Sequence, residues 1–149
     1  MFAQFQTWFA QGGPVMWPIL ALSVAGTTLV IERLCVFAAF FRRPLPRDLD
    51  AQAELDRLQR GLGVISTIIS AEPMLGILGT VTGIIQTFSS FRLSENAAPL
   101  AATAGIGEAL VTTAAGLVVA LALLFPYNGL LALLAKAAAR LEREHEAQP

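Results

Sequence analysis

The sequence predicts an all-α integral membrane protein with three spanning helices, and three observations carry that prediction. Hydrophobic residues make up 55% of the 149-residue chain and charged ones only 14%, against about 25% charged in an ordinary soluble domain. The charges are also segregated. They gather at Glu32–Arg60, at Glu72, over Arg92–Glu95, at Glu108 and from Lys136 onward, with long charge-free stretches between. Those stretches have spanning length: Pro14 to Phe41 (crossed only by Glu32-Arg33), Pro73 to Phe91, and Ala109 to Ala135. A helix crosses the roughly 30 Å hydrocarbon core with about 20 residues. Only helices or closed barrels satisfy a backbone in lipid, and no stretch alternates with a strand period.

Each element follows in order. Phe2, Phe5, Trp8 and Phe9 crowd residues 1–13, where amphipathic aromatics favour the headgroup level. This predicts a short interfacial helix, turned into the membrane by Gly12-Gly13-Pro14. The first span covers 14–41. No Lys or Arg precedes it, whereas a cleaved signal peptide needs a basic region before its apolar stretch, so the span is expected to be retained. Residues 42–72 form a loop and an amphipathic helix. Leu55, Leu58, Leu62, Ile65 and Ile69 give Ala51–Ser70 its three-or-four spacing and lead it into the second span. Glu72, at the edge of that span, reads as interfacial. The second span covers 73–91, a loop 92–104, the third span 105–135 and a helical tail 136–149, where Arg140 and Glu144 are spaced for a helical pair.

Basic residues set the direction. Arg42, Arg43, Arg47, Arg57 and Arg60 lie between spans one and two, and Lys136, Arg140 and Arg143 follow span three. Between spans two and three there is only Arg92. The positive-inside rule therefore expects the first loop and the tail in the cytoplasm and the amino terminus on the far side.

Other chemistries find little support. A net charge of −1 offers no basic field for nucleic acid, and a single cysteine, Cys35, allows no intrachain disulfide. His145 sits in a solvated run of charges. There is no metal-ligand spacing, no nucleophile–base pair and no phosphate loop, so the chain is not read as an enzyme and needs no cofactor.

Small and polar residues inside the spans are more telling. Gly76, Gly79 and Gly83 share one face of span two, and Gly79-x-x-x-Gly83 permits close backbone approach. Thr80 and Thr87 share another face. Span three holds Gly105, Glu108, Thr112, Thr113 and Gly116, with Ala114, Ala115 and Ala120 beside them. Each glycine and threonine has a packing explanation, and together they describe surfaces that meet other helices. A charged carboxylate at mid-bilayer costs about 2.5–3.5 kcal/mol on insertion scales. Glu108 is therefore a functional candidate, with helix capping at headgroup depth as the other reading.

These motifs resemble the ExbB/TolQ/MotA family, the proton-channel subunits of bacterial energy-transducing motors. Gly13-Pro14-Val15-Met16-Trp17-Pro18-Ile19 followed by Val30-Ile31-Glu32-Arg33-Leu34 is similar to that family's first span. Pro73-Met74-Leu75-Gly76-Ile77-Leu78-Gly79-Thr80-Val81 with Gly83 resembles its second. Gly105-Ile106-Gly107-Glu108-Ala109-Leu110-Val111-Thr112-Thr113-Ala114-Ala115-Gly116-Leu117 resembles its third. The likeness covers most of the chain and is closest to a short ExbB-type subunit.

The resemblance implies a pentamer in the bacterial inner membrane, its second and third spans lining a pore. That pore would hold the single-span helices of an ExbD/TolR-like dimer with a membrane aspartate, working with a TonB/TolA-like protein. Protons would be the coupling ion, Thr80 and Thr113 the pore threonines and Glu108 the membrane glutamate. Two features depart from the pattern. The segment between spans one and two is far shorter than usual, and Pro126 stands one turn beyond the family's common proline, which matches Ala122. A small proton-coupled transporter using Glu108 and a passive scaffold are the alternatives to a proton-driven transducer.

Overall fold

In the computed structural model, residues 13–42, 51–93 and 98–146 are described, and all the elements among them are helices. Within those helices the side chains of residues 51, 90–93, 98–105, 108 and 144–146 fall outside the description. The expected interfacial helix of residues 1–13 lies almost wholly outside it as well. We label the helices α1 (Met16–Arg42), α2 (Ala51–Gln59), α3 (Leu62–Leu93) and α4 (Ala98–Glu146). The chain is an all-α membrane protein: α1, α3 and α4 are each long and apolar enough to cross a bilayer. At 1.5 Å per residue, the 49 residues of α4 reach about 74 Å, well beyond the hydrocarbon core.

Gly13 enters the left-handed region (φ 65°), and the Met16 amide donates to its carbonyl at 3.2 Å, which starts α1. Hydroxyls along α1 satisfy themselves on their own helix. Ser23 donates to the Leu20 carbonyl, Thr27 to Ser23 and Thr28 to Val24, all within 2.8 Å. That is how an apolar-facing helix tolerates hydroxyl groups.

The continuous helix expected over Ala51–Ser70 is instead broken at Gly61. This glycine adopts φ 86°, closing α2 so that α3 can restart at Leu62. Arg33 of α1 holds the corner. Its guanidinium donates to the carbonyls of Arg60 at 2.7 Å and Arg57 at 3.4 Å, at the negative end of α2. The same side chain pairs with Glu32.

The apolar core lies at this end of the molecule. Val30, Phe37 and Phe40 of α1, Leu58 of α2, Leu62, Ile65 and Ile68 of α3, and Leu123, Leu130, Ala137 and Leu141 of α4 form one buried cluster. The α4 members Leu123, Leu130 and Ala137 recur every seventh residue, so one stripe faces the same neighbours over four turns. Arg140 ties the ends of α1 and α4 together: it donates to the Phe41 carbonyl at 3.5 Å and lies 5.8 Å from the Phe40 ring centroid.

Away from that cluster the helices meet through small residues, and the α3–α4 pair makes the most extensive contact. A Cβ on Gly116 would sit 2.5 Å from the Glu72 carbonyl oxygen and 3.3 Å from the Gly76 Cα. On Gly76 it would sit 3.1 Å from the Thr113 Cα, and on Gly79 it would collide with the Thr112 side chain. Gly83 is buried one turn further along. A Cβ on Gly26 of α1 would sit 2.7 Å from Leu123 Cδ1, a side-chain tip that would have to turn aside.

This packing makes a prediction. Gly116→Ala forces the backbones of α3 and α4 apart and should destabilise the fold by about 1–3 kcal/mol, the range for overpacking. Gly63 has open space around its Cβ position, so Gly63→Ala should leave stability unchanged or slightly raised. Thermal unfolding of the two variants in detergent checks this; equal melting temperatures would contradict the close-packed seam.

Candidate functional site

The α3–α4 seam brings two hydroxyls together. Thr80 lies one turn beyond Gly76 on α3, and Gly76 lets the α4 backbone in close enough for Thr113 to reach across. The two Oγ1 atoms are 3.0 Å apart. Thr113 Oγ1 is also 3.0 Å from the Gly76 carbonyl and 3.2 Å from that of Ala109. Thr80 Oγ1 is 2.9 Å from the Ile77 carbonyl and 3.3 Å from Gly76. Both residues are half-buried.

Each hydroxyl has one proton to give and two lone pairs to receive. Between them the pair has three carbonyl acceptors, and one of these, on Gly76, lies within reach of both. Either hydroxyl can donate to the other or to a carbonyl without any heavy atom moving. Such a pair can hand on a proton or orient a water. Neither residue alone can do this: an isolated threonine in a helix bonds its own i−4 carbonyl, as Thr82 and Thr87 do here.

The other sequence-derived candidates fall around this pair. Thr112, beside Thr113, is buried with its side chain against Gly79. Gly76, Gly79, Gly83 and Gly116 are all buried. Glu108 stands on α4, five positions before Thr113, and its side chain lies outside the described residues. Among the described residues no cluster of three or more His, Cys, Asp or Glu is placed to hold a metal.

One group differs from its sequence reading. Glu72 is fully buried rather than interfacial, and neither carboxylate oxygen has a hydrogen-bond partner among the described residues. The sequence misled for a physical reason. Proline favours the first turn of a helix, so Pro73 marked the start of a span and Glu72 its wet edge. In the structure Pro73 lies inside α3, which begins eleven residues earlier, and at Gly116 the α4 backbone packs against the Glu72 backbone carbonyl. A signal was available: between Leu62 and Phe91 no other residue of α3 is charged. Pro126 also lies within a helix, and α4 runs through it.

Known proteins share much of this sequence. Residues 40–143 match the MotA/TolQ/ExbB proton channel family. The chain is 39% identical over 114 residues to a Synechocystis biopolymer transport protein designated ExbB-like 1, covering 70% of this chain and 45% of that one. It is 48% identical over 75 residues to an ExbB homologue of Methanothermobacter thermautotrophicus, covering 50% and 26%. With the Tol-Pal system protein TolQ of Haemophilus influenzae the identity is 32% over 83 residues, covering 56% and 36%. The matches thus span less than half the length of each of these relatives. No solved structure matches the chain. A family match that runs from the end of α1 to the tail of α4, through every residue of the hydroxyl pair and its glycine seam, establishes that the chain belongs to the MotA/TolQ/ExbB proton channel family.

Proposed function

We propose that this chain is the channel-forming subunit of a proton-motive-force-driven transducer in a bacterial inner membrane. Five copies surround a dimer of small single-span partners of the ExbD/TolR type, whose membrane aspartate carries the proton, and a TonB/TolA-like protein takes up the work. The Thr80–Thr113 pair carries this reading: two hydroxyls and a shared carbonyl, held on membrane helices where an apolar pair would pack at no polar cost. Glu108 is assigned the tuning of the proton on that path.

Two further features support it. The outward surfaces of α3 and α4 are apolar, with Met74, Ile77, Val81 and Phe88 on one and Leu110, Leu117, Leu121 and Phe125 on the other. Such faces suit both lipid and neighbouring copies. The Arg140–Phe41 contact brings the basic ends of α1 and α4 to one side, as the positive-inside rule requires of a cytoplasmic face. The amino terminus then lies in the periplasm and the carboxyl terminus in the cytoplasm. At ~150 mV, one charge moved across the membrane yields about 3.5 kcal/mol, several times thermal energy and enough to bias a stepping cycle.

The native mass of the detergent-extracted complex, co-expressed with the small single-span protein encoded beside it, should correspond to five copies plus two partners. A monomer or dimer indifferent to the partner would contradict the transducer and favour a self-contained transporter. In vesicles holding the complex, Thr80→Val or Thr113→Val should keep the assembly and lower proton uptake about a hundredfold, the scale of a lost proton-transfer group. Thr80→Ser and Thr113→Ser should retain most of it. Full uptake in the valine variants would end the relay role and leave a scaffold, and unchanged uptake in Glu108→Gln would return Glu108 to helix capping.

A further inference from the structure

We propose that Glu72 is a second proton-binding group of the channel, a carboxyl that receives and releases protons on the cytoplasmic side of the Thr80–Thr113 pair. The inference rests on the channel reading above and concerns a residue that reading does not use.

Glu72 is completely buried, and neither of its carboxylate oxygens has a hydrogen-bond partner among the described residues. Its surroundings offer no compensating charge. On α1 there is no charged residue from Met16 to Ile31, and α4 has none from Ala109 to Ala135, where Tyr127 is the sole ionisable side chain. On α3 itself Glu72 is alone from Leu62 to Phe91. The nearest charged groups along the helices do not reach it: Arg33 is on the Arg60 and Arg57 carbonyls and Glu32, and Lys136 is exposed and 20 positions from Gly116 on α4, about 30 Å along the axis. Glu108 lies on the opposite side of the threonine pair.

Structural explanations do not account for such a residue. It forms no ion pair among the described residues, and it lies eleven positions into α3, too far in to cap the helix start. An uncompensated buried charge costs several kcal/mol that an apolar residue of similar volume would avoid. What a carboxyl offers there, and an apolar side chain does not, is a site where a proton can be bound and given up.

The position also suits transfer. Glu72, Gly76 and Thr80 are spaced four apart, one above another along a stripe of α3. The middle position has no side chain, and its carbonyl already meets both threonine hydroxyls. Glu72 and Thr80 are about 12 Å apart along the axis, a gap that a file of about three or four waters, each step about 2.8 Å, would bridge. On the cytoplasmic side, Pro73 has no N–H for the Ile69 carbonyl, leaving an acceptor one turn below Glu72 for a water. In one passage the resting acid gives its proton to cytoplasmic water, and the transient carboxylate takes up another from the hydroxyl side. The group ends as it began.

Infrared spectroscopy of the purified protein, together with proton uptake in dye-loaded phosphatidylcholine vesicles holding the complex with its single-span partner, tests the proposal. Wild type should show the carbonyl stretch of a buried protonated carboxyl. Glu72→Gln should lose that band, keep the native mass and conduct at least about tenfold more slowly. Glu108→Gln is the control in which the band must persist. An unchanged band in Glu72→Gln overturns the proposal, and so does a lost band with undiminished uptake, which would leave Glu72 a buried structural acid. If Glu72→Gln does not assemble, Glu72→Asp decides: its band must move and its uptake must fall, and no change in either overturns the assignment. Wild-type vesicles that pass no protons at all would instead defeat the channel reading, while the infrared band would still report whether Glu72 binds a proton.

Discussion

Where α3 and α4 cross, Gly76 and Gly116 let the two backbones touch and Gly79 makes room for the Thr112 side chain, and everything specific about the molecule is built on that contact. Association between helices in lipid gains little from hydrophobicity, because lipid tails are as apolar as leucine; close packing and interhelical hydrogen bonds must supply it. The glycines provide the closeness. The closeness then brings Thr113 within hydrogen-bonding distance of both Thr80 and the Gly76 carbonyl. It also covers Glu72, whose backbone carbonyl lies against Gly116. A single side chain at any of these three glycines would separate the hydroxyls and let the carboxyl be hydrated.

The two ends of the molecule are held by different physics. At the basic end an ordinary apolar core of Phe37, Ile65 and Leu130 joins α1, α3 and α4, and Arg33 and Arg140 tie helix ends by donating to exposed carbonyls. Further along, apolar packing gives way to glycine and threonine. This division lets the core fix the register of the three helices while the seam holds polar groups in a narrow, low-dielectric space. There, a hydrogen bond is electrostatically stronger than in water and an unpaired group costs more.

Much of this was legible beforehand, and the reasons differ by feature. The three spans were visible because charges are excluded from lipid and their positions bracket the apolar runs. Thr80 and Thr113 stood out as polar residues in those runs, although their mutual contact is a matter of helix register that no single span reveals. The break at Gly61 was missed because the leucine and isoleucine spacing on either side of it continues in phase, and only the left-handed backbone shows the corner. Glu72 was misplaced because a proline beside an acidic residue looks the same at a helix start and within a helix. Gly116, forty-four positions away in the sequence, decides which it is.

The proton path depends on the contact between Thr80 and Thr113 within one chain. Replacing both with cysteine, in a chain whose native Cys35 is changed to serine, and oxidising the protein in membranes measures it directly. Hydroxyl oxygens 3.0 Å apart place the two Cβ atoms near the range of about 3.5–4.5 Å that a disulfide requires. Peptide mapping should therefore find the cross-link inside single chains, formed readily and in high yield. Failure to cross-link, or cross-links found only between chains, would mean that α3 and α4 do not meet through this seam, and the proton path drawn along it would be lost.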